Sequence, residues 1–146
     1  MEGILSGKED FQPTQLVDLF PTLLEITGLE YNSDSSQGYD LLDENARKKR
    51  SVFCEYYYPI QALSPFRKKD RDSPKLEKYK RHLSSLIIDN VKLVLGSDNN
   101  NELYDLSRDP QEKNNLINSK AYTETKQNMQ QELERLLKEL KSQSTF

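Results

Sequence analysis

The chain has 146 residues and a mass of 17.0 kDa, which is enough for one domain with a modest core. Only 34% of its residues are hydrophobic while 31% are charged, and the formal net charge is −3. This polar composition indicates either a loosely folded chain or a piece that packs against something larger. The single cysteine, Cys54, excludes an internal disulfide and a cysteine-rich zinc site.

No apolar run is long enough to cross a membrane, and no signal-peptide pattern follows Met1. Nothing in the cysteine content requires an oxidising compartment. We therefore expect a soluble protein, with a lean towards the cytoplasm. If the chain is a fragment, however, a missing signal says little about the compartment of its parent.

The first predicted element is a helix over residues 15–27, capped by Thr14 and ended by Gly28. Apolar residues surround much of this helix, so we expect it to be buried on more than one side. Pro21 lacks a backbone donor and should bend the helix or mark a new first turn, with Asp18 as the cap of that turn. The apolar positions are Leu16, Val17, Leu19, Phe20, Leu23, Leu24 and Ile26.

A basic tract covers residues 47–81, where 12 Lys and Arg residues stand against 4 Asp and Glu residues. The tract carries a net charge of +8, so the rest of the chain carries −11. A clustered positive field attracts anionic ligands even on an acidic protein. Three interpretations stay open: solvated lysines, a rim that faces an anion, or nucleic-acid binding, the last without a supporting motif.

Four strands are predicted in an antiparallel meander, because β-branched and aromatic residues cluster between turn signals. Asp89 and Asn90 can adopt the positive φ angles of a tight hairpin turn. Residues 60–80 are too many for a plain turn and form either a functional loop or a flexible one. Cys54 is interpreted as a buried strand thiol. The strands are expected over residues 51–58, 83–88, 91–95 and 102–106, with a polar turn over 97–101.

The last strand runs into a stretch with the parts of a helix start. Asp109 is the expected N-cap, Pro110 the first helical residue, and Glu112 the residue that reaches back to the cap amide. Asn114 and Asn115 are expected to stop this turn in the left-handed conformation.

The chain then becomes helical over about residues 119–141, with one apolar stripe that should cover a face of the sheet. A coiled-coil seam is the weaker alternative, because the pattern lasts too few heptads.

Glu-Leu-Tyr-Asp at 102–105 is followed by Asp109-Pro110, Glu112 and Asn115-Leu116. This stretch is similar to the C-terminal motif of the sulfatase family, within the alkaline-phosphatase superfamily. Val-Asp-Leu-Phe-Pro-Thr-Leu-Leu at 17–24, with Gly38 and Leu41 after it, is similar to a helix of the same enzymes and the Gly-x-x-Leu that follows. The resemblance spans roughly residues 12–140 in the family's order.

The resemblance implies an α+β fold in which about four antiparallel strands are covered by a long C-terminal helix. Residues 1–45 would be the tail end of an α/β catalytic domain, and residues 46–146 a C-terminal subdomain. The chain would be the C-terminal part of a sulfatase, giving scaffold and contacts at the substrate rim. Its partner would be the rest of the catalytic domain, in cis or in trans, with no nucleic acid and no membrane.

The same resemblance implies that a full-length parent uses formylglycine and calcium to hydrolyse an anionic sulfated substrate. We assign no catalytic residue and no metal ligand to this chain, and we expect it to be inactive alone. The candidate rim residues are Tyr57, Arg67, Arg81 and His82. The alternative is a stand-alone, non-catalytic module that binds an anionic partner through residues 47–81.

Overall fold

The computed structural model describes residues 13–32, 37–43, 45, 51–57, 65 and 73–143. The chain divides into two compact units, Met1–Val52 and Phe53–Phe146. The division predicted after residue 45 stays a prediction. No helix in the described part of the chain is long and apolar enough to span a membrane.

The first unit contains a 3₁₀ turn, Leu16–Asp18, that leads into helix α1, Leu19–Thr27. Gly28 ends the helix with a φ of 67°, as predicted. Pro21 lies in the first turn of α1, where its missing N–H breaks no helical hydrogen bond. The prediction that Thr14 caps the helix is wrong, because the 3₁₀ turn begins after Gln15.

Asp18 is fully buried and ties α1 to the segment 37–42. Its carboxylate accepts hydrogen bonds from the backbone N–H of Gln15 at 2.6 Å and of Tyr39 at 3.1 Å. Thr22 Oγ1 donates to the Asp18 carbonyl at 2.6 Å and accepts from Leu41 N–H at 2.9 Å. Asp18 stands at the N-cap of α1, as predicted, but its carboxylate makes no capping hydrogen bond to that helix and reaches backwards and across instead.

Gly38 completes this contact because it has no side chain. A Cβ at Gly38 would lie 2.2 Å from the carbonyl oxygen of Val17, well inside van der Waals contact. The Val-Asp…Thr and Gly-x-x-Leu stretches thus hold each other in place.

The apolar side chains of this helical segment remain largely exposed, which contradicts the expected burial on more than one side. The exposed fractions reach 83% for Leu16, 60% for Phe20 and 58% for Leu23. Val17, Leu19 and Ile26 are exposed as well. The buried positions of α1 are instead Pro21 and Thr22.

The second unit contains an antiparallel sheet in which the four strands follow chain order. In β2–β3, Leu83 pairs with Gly96 and Ile88 with Val91, so Asp89 and Asn90 form the hairpin turn with φ of 47° and 65°. The prediction of this hairpin is confirmed. The strands are β1, Val52–Tyr56; β2, Leu83–Ile88; β3, Val91–Gly96; and β4, Glu102–Asp105.

Helix α2, Thr123–Gln143, follows a 3₁₀ turn at Lys120–Tyr122 and covers one face of this sheet. Its Met129 and Leu133 are buried in one core cluster with Leu86, Leu93 and Leu103. Phe53, Leu136 and Leu137 are among the residues packed around this cluster. The predicted α+β fold, with a sheet of four antiparallel strands under a C-terminal helix, is confirmed.

The segment after β4 differs from prediction because it forms turns and no helix. Glu112 has a φ of 54°, so the left-handed residue is Glu112 and neither Asn114 nor Asn115. The Asp109 carboxylate accepts from Asn114 N–H at 2.7 Å and so ties these turns together, but the prediction that Asp109 is the N-cap of a helix is wrong. Asn115 Oδ1 accepts from Leu103 N–H at 3.0 Å and thereby closes the outer edge of β4.

Cys54 is exposed on β1, so its predicted burial is wrong. Since Phe53 packs against the core, strand alternation turns Cys54 to the opposite side of the sheet. A 3₁₀ helix, Pro74–Tyr79, lies within the long segment that separates β1 from β2.

Candidate functional site

The face of the sheet opposite α2, here called the polar face, carries the candidate site. Its side chains alternate along the strands with those of the core. A pocket of about 230 Å³ opens on this face. The residues around it include Cys54, Tyr56, Arg81, Ser85, Lys92 and Glu102.

Arg81, just before β2, is a cation of the polar face with polar partners on both the turn 97–101 and β4. Its Nη2 donates to Glu102 Oε1 in a short ion pair, and its Nη1 donates to the Asn100 carbonyl at 2.9 Å. Nη1 also lies 3.6 Å from Asp98 Oδ1. The guanidinium thus bridges the start of β2, the turn 97–101 and β4.

Gly96, the last residue of β3, makes room for this arrangement. A Cβ at this position would lie 2.5 Å from Asp98 Oδ1, 3.1 Å from the Asn100 carbonyl oxygen and 3.3 Å from Arg81 Nη1. A side chain at residue 96 would therefore displace the turn and its arginine partner.

Glu102 joins Arg81 to Tyr104, whose hydroxyl donates to Glu102 Oε2 at 2.7 Å. Burial raises the pKa of Glu102, but the hydrogen bonds from Arg81 and Tyr104 outweigh it and hold that pKa below its ordinary value. Burial and the bond to Glu102 raise the pKa of Tyr104 to about 12. The hydrogen bond to Glu102 likewise raises the pKa of Arg81. All three groups are therefore fixed in one protonation state at neutral pH.

Lys92 on β3 forms a second ion pair on the polar face. Its Nζ donates to both carboxylate oxygens of Glu112, at 2.8 and 2.9 Å. This pair attaches the turns after β4 to the middle of the sheet. With Arg81 and Glu102, the pocket is lined by two cations and two carboxylates, so its charges are balanced.

Tyr57 and His82 form a ring stack where β1 ends and β2 begins. Their ring centroids are 4.7 Å apart, with an angle of 37° between the planes. Both residues are exposed. His82 N–H donates to Ser97 Oγ at 3.0 Å, and Ser97 N–H donates to the His82 carbonyl at 3.0 Å.

Of the four predicted rim residues, the structure brings Tyr57 and His82 into contact. Arg81 precedes His82 in the chain. Arg67 lies outside the described residues. A rim role for all four residues stays a prediction. The partners of Arg81 were not identified from the sequence. Two signals could have indicated them: the Glu-x-Tyr spacing, which puts Glu102 and Tyr104 on one face of β4, and the glycine at the end of β3.

No group of three or more His, Cys, Asp or Glu side chains in the described ranges is placed to hold a metal ion. The polar residues of the 102–105 motif have intramolecular partners. Asp105 accepts from Ser107 N–H at 3.1 Å and from the Tyr122 hydroxyl at 2.7 Å. The arrangement is suited to holding turns, strands and exposed rings in fixed positions.

Comparison with known proteins bears on the family and on the fold. The family model described as N-sulphoglucosamine sulphohydrolase, C-terminal, matches residues 2–139. A solved structure of the protein BT4656, in complex with its substrate D-glucosamine-2-N,6-O-disulfate, aligns with a TM-score of 0.54 and 22% identity over 87% of this chain. That alignment covers 24% of the BT4656 chain, so this chain spans about a quarter of its length. At this identity the likeness shows the fold. No curated protein matches significantly.

Proposed function

Since the chain belongs to the N-sulphoglucosamine sulphohydrolase C-terminal family, we propose that it is the scaffold part of a sulfatase whose chemistry resides in other residues. In the parent protein the reaction would be the hydrolysis of a sulfate ester. This chain would pack against the rest of the catalytic domain, in cis or in trans, and contribute to the rim of the substrate site.

One observation carries this proposal: the apolar face of the segment that contains α1 is exposed. Leu16, Phe20 and Leu23 are each more than half exposed, and Val17, Leu19 and Ile26 add to the same patch. Exposing so many large apolar side chains within one short segment is unfavourable in water and marks an interaction site. Because the matching family is a C-terminal one, we propose the rest of a catalytic domain as the partner that covers this face.

The sequence supports a catalytic centre outside this chain. Cys54 is followed by Glu55-Tyr56-Tyr57, which lacks the Pro and Arg that the formylglycine motif needs. We place formylglycine and calcium in the remainder of the parent. The rim would include Tyr57, Arg67, Arg81 and His82, and the basic tract 47–81 would attract the anionic sulfated substrate.

The test is an assay of the purified chain on an aryl sulfate with calcium present. We expect no turnover from the chain alone, and turnover when the remainder of a sulfatase domain, encoded upstream of Met1 or by a neighbouring frame, is expressed with it. Reproducible turnover by the chain alone that Cys54→Ala abolishes would overturn the proposal.

The competing function is a stand-alone module that binds an anionic partner through residues 47–81, and the net charge of +8 in that tract favours it. Light scattering and thermal unfolding separate the two functions. A scaffold part should self-associate through the apolar face, and Phe20→Ser with Leu23→Ser should reduce that association. A monomer that melts cooperatively, with no upstream frame for the missing motifs, would favour the module.

A further inference from the structure

The Tyr57–His82 stack is exposed yet built on a fixed base. His82 is joined to Ser97 by two hydrogen bonds of 3.0 Å just beyond the β2–β3 ladder, one to the His82 carbonyl from Ser97 N–H and one from His82 N–H to the Ser97 hydroxyl oxygen. The backbone of His82 therefore cannot move without Ser97. The position of the imidazole depends on the turn 97–101 that Ser97 begins.

Arg81 holds that turn in place. Its guanidinium donates to the Asn100 carbonyl, lies near Asp98 and pairs with Glu102, where the turn enters β4. Only 20% of the Arg81 side chain is exposed, so these contacts are partly shielded from solvent. Gly96 leaves the space in which the guanidinium and the turn meet.

We propose that Arg81 is a positioning residue, which fixes the turn 97–101 and thereby holds His82 in its stack with Tyr57, and that ligand contact at this rim is made by Tyr57 and His82. The second half of this inference rests on the proposed function. The first half concerns this chain alone.

The chemistry of the three side chains favours this division. A planar guanidinium is suited to bridging a carboxylate and a carbonyl, and releasing those partners to bind an external anion would leave the partly buried Glu102 carboxylate without its cation, although the Tyr104 hydroxyl would still donate to it. Tyr57 and His82 offer ring faces, a hydroxyl and an imidazole N–H at the surface. Such a surface fits an anionic ligand that carries a ring.

His82 is the only histidine in the chain, so its imidazole carbon-bound protons give unambiguous signals in a proton–carbon NMR spectrum. The neighbouring Tyr57 ring shifts these signals, and the Tyr57→Leu variant defines their positions without the stack. We expect Arg81→Met to move the His82 signals most of the way to those positions. Arg81→Lys keeps the charge and loses the planar fork, so it should move them in the same direction.

Two further variants keep this test decisive. Arg108→Met is the matched control, because that side chain is 81% exposed and pairs with Asp105 instead; it should leave the His82 signals in place. Gly96→Ala disturbs the same turn without removing Arg81, and it should reproduce the shift. The methyl signals of Leu86, Leu93 and Leu103 report whether each variant keeps its core. Unmoved His82 signals in folded Arg81→Met or in Gly96→Ala would overturn the positioning role, as would wild-type positions in Arg81→Lys.

The ligand half is tested by adding nitrophenyl sulfate, with inorganic sulfate in parallel. We expect saturable movement of the His82 signals with the ring-bearing sulfate, lost in Tyr57→Leu and retained in Tyr79→Leu, another exposed tyrosine. No movement, or equal movement with inorganic sulfate, would overturn ligand contact by the pair. The ligand-free experiment does not depend on sulfatase activity, so failure of the positioning role and failure of the proposed function are distinguishable.

Discussion

The two compact units of this chain use their apolar side chains in opposite ways. In the second unit, Leu86, Leu93, Leu103 and Leu133 are completely buried between the sheet and α2. In the first, the residues buried around α1 include a carboxylate and a threonine, while Leu16 and Phe20 face outwards. The second unit has a core of its own, whereas the described part of the first is held by polar contacts and leaves its apolar face exposed.

The described parts of the two units are therefore stabilised by different interactions. Burial of leucine side chains stabilises the sheet and α2 from within. The segment with α1 instead depends on hydrogen bonds such as those of Asp18, whose net contribution is modest. We infer that the first unit reaches its full stability only when its apolar face is covered.

The largest expected effect comes from the core of the second unit. Leu103→Ala removes a fully buried side chain and should lower the free energy of unfolding by about 2–5 kcal/mol, because a cavity is left behind. Leu23→Ala, the matched change on the exposed face of α1, should cost less than about 1 kcal/mol. Urea unfolding followed by circular dichroism measures both. Equal losses would contradict the contrast between the units.

Asp18→Ala is expected to have the next largest effect. The change leaves the partly buried backbone N–H groups of Gln15 and Tyr39 without this acceptor, which should cost about 1–3 kcal/mol locally. Hydrogen exchange at the Tyr39 amide is the measurement, and exchange should become faster by about ten-fold or more. Asp43→Ala, which removes a short-range contact to Asn45, is the control. Unchanged protection at Tyr39 would show that segment 37–42 is held by other contacts.

The smallest expected effect is on the pH dependence of stability, through Glu102 on the polar face. The pKa of Glu102 is lower in the folded chain than its ordinary value, so its contribution is present above that ordinary value and is lost as pH falls through the folded pKa. Glu102→Gln should therefore be less stable near neutral pH, by under about 1 kcal/mol, and should lose less stability between about pH 5 and about pH 3. Urea midpoints across this range, with Glu124→Gln as control, measure the difference. If the urea midpoints of wild type and Glu102→Gln change in parallel with pH, Glu102 does not contribute to the acid sensitivity of the fold.

The elements that sequence predicted best are those that local chemistry determines. Asp89 and Asn90 fix the hairpin because they tolerate positive φ, and the spacing of Met129 and Leu133 fixes the buried side of α2. The prediction of a helical turn after β4 was wrong because Asp109, Pro110 and Glu112 suit a helix start only when local sequence is considered. In the fold, Glu112 instead takes a left-handed conformation and pairs with Lys92. That partner is 20 residues away, which no local pattern reveals.

The candidate site was predictable only in part for the same reason. Tyr57 and His82 could be named from sequence as rim residues, but their contact depends on β1 lying beside β2. The bonds of Arg81 cross from residue 81 to residues 100 and 102, and they require the β2–β3 register. The prediction that Cys54 is buried was wrong because the periodicity of β1 does not tell which of its faces meets the core.

Because Cys54 is exposed, its reactivity can report whether a partner covers the polar face of the sheet. As the only thiol, and one that lines the pocket on the polar face, it can be labelled at a single defined point with a maleimide dye. Its labelling rate then measures how accessible that face is in any preparation. A partner that covers the polar face of the sheet would slow labelling.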